Sequence, residues 1–137
     1  MLATSSDNSS SLSLALDARM AIKALYALQR QPGGAANGTL KKAIDDVRTS
    51  LSALSSGTPL FANLSQSSLF ENYGQIETLQ EVRSAFSQED VGAKLEVVNQ
   101  QDDPDQQKEG IEFAITFFTA LERRARQKFN QSYGFGI

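Results

Sequence analysis

Leu14, Ala18, Ala21, Leu25 and Leu28 fall at offsets 0, 4, 7, 11 and 14, and Leu40, Ile44, Val47, Leu51 and Leu54 repeat that spacing. A helix turns about 100° per residue, so this spacing gathers five apolar side chains into one stripe, whereas a strand would scatter them over both faces. Two such stripes require two helices that bury their apolar sides against other elements. No alternating apolar–polar run of useful length occurs, nor any internal repeat or sustained heptad pattern. The chain is therefore read as all-α.

Punctuation residues divide the chain further. The first helix is expected from about Ser11 to Arg30, stopped by Gln31-Pro32-Gly33-Gly34, because proline cannot continue the hydrogen-bond ladder. Along it, Ala15, Ala18, Ala21, Ala24 and Ala27 recur every third residue, which either admits a second helix axis closely or reflects helix propensity alone. Thr39 is the expected N-cap of the second helix, which ends at Ser55-Ser56-Gly57. The short connection between the two suggests that they pair antiparallel. Thr58-Pro59 signals a brief third helix carrying Leu60, Phe61, Leu64 and Leu69. A fourth helix is expected over Gln75 to Phe86. Ser87 with Asp90 resembles a capping box opening a fifth segment with Val91, Leu95 and Val98, unless the fourth and fifth are one helix kinked near Ser87.

Asp103-Pro104 repeats the cap-then-proline signal, with Gln106 placed to complete a box. From there a last helix runs to about Asn130. Ile111, Ile115, Phe118, Leu121, Ala125 and Phe129 make its stripe, widened by Phe113 and Phe117. This is the heaviest apolar load in the chain. The expected architecture is a compact bundle of about four to six helices, mostly antiparallel, with the long C-terminal helix at the centre of the core. At 137 residues one domain suffices, with a polar segment over 1–10 and an apolar, glycine-rich tail over 131–137.

The chain contains no Cys, His or Trp. Without imidazole or thiolate, a single chain cannot build the usual zinc, copper or iron sites, and no cofactor is expected. Asp102-Asp103-Pro104-Asp105 invites a calcium reading. Counted from Asp105, however, position 12 of an EF-hand loop is Thr116 where a bidentate Glu is needed, so helix capping explains these acids better. The carboxylate pairs Glu77 with Glu81 and Glu109 with Glu112 share helix faces, but neither sits among apolar residues that would raise a pKa. Gly33-Gly34 lacks the Lys-Ser/Thr of a phosphate-binding loop. No catalytic residues are assigned.

Charge is unevenly distributed. Met1 to Phe70 carries four acids and six bases, Glu71 to Glu112 eleven acids and three bases, and Phe113 to Ile137 one acid and four bases. An acidic middle thus lies between mildly basic ends, suited to contact between subunits or with a basic partner. The basic cluster Arg123, Arg124, Arg126 and Lys128 is a candidate interaction surface, best matched to the acidic middle block within or between subunits. Tyr133, Phe135 and Ile137 extend that candidate surface, since an apolar tail suits a groove on a neighbouring chain. With a net charge of −3, nucleic acid is not an expected partner.

No window reaches the length of a membrane span, and the start lacks the basic region of a secretory signal. A cytoplasmic location follows as the expectation, with signal-independent export as the other route. The leading functional expectation is a non-enzymatic, self-associating helical interaction module: an adaptor, chaperone-like protein or assembly component. Two rivals are an effector that inhibits a host protein through the acidic face, and a ligand-binding or enzymatic bundle with a pocket beside Phe113, Phe117 and Phe118.

Overall fold

The computed structural model describes residues 2–31, 33–56, 69–70, 73–86 and 90–132; of residues 2–9, 56, 73 and 132 it describes the backbone alone. Five α-helices occupy these stretches: α1 (Leu2–Gln29), α2 (Gly38–Ser56), α3 (Tyr73–Ser84), α4 (Val91–Glu96) and α5 (Pro104–Ser132). A single 3-10 turn, Val97–Asn99, continues α4. Among the described residues there is no strand, and the protein is an all-α bundle organised on its long C-terminal helix. The brief helix expected from Thr58, the Ser87 cap and the tail Tyr133, Phe135 and Ile137 lie outside the described residues.

The core follows the stripes. Leu14, Ala18, Ala21, Leu25 and Leu28 of α1 are buried, as are Leu40, Ile44, Val47 and Leu51 of α2. Leu54 reaches only the edge of this cluster. On α5 the expected stripe is buried at Ile111, Phe118, Leu121 and Ala125, with Phe117 and Ala114 beside it, while Ile115 and Phe129 are only half-buried. Helix α5 meets α1, α3, α4 and the 3-10 turn, so its apolar surface is wide.

Three boundaries differ from the sequence expectation. Helix α1 begins at Leu2, so much of the segment read as a polar N-terminal extension is helical. Serine costs little helix propensity, and adding turns to an already packed helix is far cheaper than nucleating one. The cap of α2 is Asn37, whose Oδ1 accepts from the Leu40 N–H at 2.9 Å, so the helix starts at Gly38, before the expected Thr39 cap. Helix α4 is capped by Asp90 itself, which accepts from the Ala93 N–H at 3.1 Å.

Helix directions follow from side-chain pairs. Leu28 and Gln29 lie beside Pro104, Gln107 and Ile111, whereas Arg19 bonds to Glu122, so α1 and α5 run antiparallel. Phe86 packs on Phe113 and Phe117 while Glu81 meets Arg124, so α3 is also antiparallel to α5. The main neighbour of α1 is α5 rather than α2. Ala15, Ala18 and Ala21 are fully buried, so these small residues serve close approach. Ala27 is exposed, and there only helix propensity recommends it.

One buried amide joins three elements. Gln107, 1% exposed, accepts at Oε1 from the Gly33 N–H (3.1 Å) and donates through Nε2 to the carbonyls of Gly34 (2.8 Å) and Val98 (3.0 Å). It ties the α1–α2 connection and the 3-10 turn to the first turn of α5. Gly33 takes a φ of 80°, a left-handed conformation open to glycine at no cost. Three residues beyond Gln107, Gly110 lets the same turn pass against the helix. A Cβ there would lie 2.9 Å from the Val98 nitrogen and 3.0 Å from the Val97 carbonyl carbon.

Candidate functional site

The basic cluster near the end of α5 divides according to the direction each residue faces. Arg124 points toward α3, where its Nε donates to Glu81 Oε1 at 2.9 Å. Lys128 follows one turn later, 3.0 Å from Glu81 and 3.2 Å from Glu77. The Arg124 guanidinium and, behind it, the Lys128 ammonium hold the Glu81 carboxyl below its ordinary value against the opposing effect of burial. Glu81 in turn raises the pKa of Arg124. The expected match between this cluster and the acidic middle block is therefore made, for these two cations, inside one chain.

On the opposite flank Glu122 sits between helices. It is 3.2 Å from Arg19 of α1 and 2.9 Å from Arg126 on its own helix. Burial pushes its carboxyl up, but the hydrogen bonds from Arg126 and Arg19 outweigh that push and leave it below the ordinary range. Arg123, exposed between these two networks, has no ion pair among the described residues.

Several acids are also committed within the chain. Glu96 pairs with Arg48 at 2.6 Å, Asp90 caps α4, and Asp103 Oδ1 accepts from the Gln106 N–H at 3.2 Å. Capping thus explains Asp103 within the acidic run before α5. Asp105, Glu109 and Glu112 remain exposed on the outer side of α5. The outward surface of that helix consequently carries three acids and Lys108 in its first half, and Arg123 and Arg126 beyond.

The aromatic residues proposed to line a pocket pack on one another. The Phe86 and Phe113 rings meet edge to face with centroids 5.6 Å apart, and Phe117 and Phe118 do the same at 5.6 Å. A cleft of about 660 Å³ lies instead between α2 and the start of α4, beside Arg48, Ser52, Arg83 and Asp90. Two of these four are already engaged, Arg48 with Glu96 and Asp90 with its cap.

Among the described residues, the exposed large apolar side chains lie on α1. Leu16, Met20 and Tyr26 are 49%, 52% and 46% exposed. Leu16 and Met20 are one turn apart. Tyr26 lies seven residues after Arg19, on the strip of α1 that borders α5 through the Arg19–Glu122 bond. Exposed Lys23 and Arg30 accompany them on this outward side. The sequence reading missed this surface because the inward stripe of α1 accounts for the helix without it. Among the described residues no helix is long and apolar enough to cross a membrane. No protein-family model, curated protein or solved structure matches the chain.

Proposed function

We propose that the protein is a non-enzymatic helical interaction module that self-associates through the outward side of the α1–α5 pair. The observation that carries this reading is the position of Leu16, Met20 and Tyr26, each about half exposed and all on one helix. Neighbouring large apolar side chains held in water mark contact surfaces more often than isolated ones do. Lys23 lies between Met20 and Tyr26 on the same side of the helix and Arg30 beyond them, so cations accompany the apolar groups. The networks of Glu81 and Glu122 further support it, because they hold α3, α5 and α1 in fixed relation and so present a rigid surface.

Sedimentation equilibrium over a wide concentration range tests the proposal. The weight-average mass of the wild type is expected to rise above the 14.9 kDa of one chain, and Leu16→Ser with Met20→Ser to hold it there. A wild-type mass pinned to the single chain at every concentration overturns the reading.

A further inference from the structure

Helix α5 carries an outward strip whose charge reverses along its length. Asp105, Glu109 and Glu112 occupy its first half and are all exposed. Thr116 and Thr119 follow at the middle, then Arg123 and Arg126, again exposed. The spacing alternates between four and three residues, which keeps every member on one side of a helix. Glu109, Glu112 and Arg123 have no ion pair among the described residues, and Arg126 keeps more than two-fifths of its side chain in water.

Such a strip is complementary to itself in one orientation only. Laid antiparallel about a two-fold axis between Thr116 and Thr119, residue 112 of one copy faces 123 of the other, and 109 faces 126. Glu109 and Glu112 then each meet a guanidinium while Asp105 faces the neutral Asn130, and each contact occurs twice, as two-fold symmetry demands. A parallel alignment would set Glu against Glu and Arg against Arg. We propose that two copies of this chain pack α5 against α5 in antiparallel register, with Glu112 opposite Arg123 and Glu109 opposite Arg126. The inference rests on the self-association proposed above and adds to it the orientation and register of the copies. Apolar area from α1 favours contact, and the charges of α5 select its geometry, the usual division of labour between burial and electrostatics.

The flanking groups are compatible with this register. Lys108 falls opposite Gln127, and Glu122 stays engaged with Arg19 and Arg126 at the side of the strip. Because the pairs are exposed, the association weakens as salt shortens the screening length from about 30 Å at 0.01 M to about 3 Å at 1 M.

Two complementary variants test the arrangement by sedimentation velocity at low salt, with circular dichroism to establish that each is folded. Arg123→Glu with Arg126→Glu makes all four paired positions acidic, and Glu109→Arg with Glu112→Arg makes all four basic. Each alone is expected to self-associate at least roughly tenfold more weakly than the wild type. Mixed in equal amounts they should restore a complex of two chains, because all four charge contacts reappear between unlike copies. Two folded variants that associate as the wild type does would falsify the register while leaving self-association through another surface standing. A mixture that stays monomeric overturns the register as well. A wild type that never associates removes both the register and the proposal beneath it.

Discussion

Replacing Gln107 by leucine removes a side chain of similar size that makes three hydrogen bonds. The Val98 carbonyl that it satisfies is buried, whereas the Gly33 N–H and Gly34 carbonyl are partly open to water. Leaving a buried acceptor unpaired costs about 1–3 kcal/mol, and each bond that water can replace costs about 0.5–1.5 kcal/mol. Burying a leucine in place of an amide returns about 1–2 kcal/mol. The net expectation is a loss of about 2–3 kcal/mol, equivalent to roughly 10 °C in melting temperature for a domain of this size. Urea unfolding followed by helical circular dichroism measures it, with Gln106→Leu as the control. Gln106 is exposed on the same turn, and its substitution should shift stability by under about 0.5 kcal/mol. If the two variants unfold within about 0.5 kcal/mol of one another, Gln107 is not the tie that the distances describe.

Gly110→Ala should destabilise the fold by about 1–3 kcal/mol, because the new methyl meets backbone atoms of Val97 and Val98 and this outweighs a helix-propensity gain of about 1 kcal/mol. Gly92→Ala, where the nearest atom is the Asp90 carboxylate at 3.7 Å, should leave stability unchanged or raise it in the same unfolding assay. Glu81 and Glu122 are both held below 4.5 in the folded protein, so their contribution is complete above the unfolded value and is lost as pH falls through the folded ones. The urea midpoint should therefore drop as the pH is taken below 4.5, and Glu122→Gln should flatten that dependence; an unaltered acid limb would contradict the assignment. The mass measurements on Leu16→Ser with Met20→Ser, and on the complementary strip variants, complete the set.

The helical architecture was readable because apolar spacing is a local property. Leu14 to Leu28 and Leu40 to Leu51 lie on the inward sides that periodicity assigns them, and Asp103-Pro104 opens α5 as its residue types indicate. The cap before α2 was misplaced by two residues because Asn37 and Thr39 are both good N-caps. Of the candidate surface, Arg123 and Arg126 face outward as a helical projection implies. Arg124 and Lys128 do not remain free, because α3 runs past them bearing Glu77 and Glu81. No spacing within one segment announces a partner on another.

Helix-forming segments, their inward stripes and the alternation of acidic and basic stretches are inscribed in the chain, since each depends on residues within a turn or two of one another. Which helix lies beside which, and therefore which charges are neutralised internally and which face water, is settled by packing. Gln107 illustrates the difference. In the sequence it is one polar residue in the first turn of a helix, and only the arrival of Gly33, Gly34 and Val98 from distant segments makes it buried and fully bonded. The same holds for Leu16, Met20 and Tyr26, which stay exposed because, among the described residues, the elements packed on α1 take its other sides. Contacts between segments remote along the chain depend on how whole faces fit, and that fit is a property of the assembled bundle.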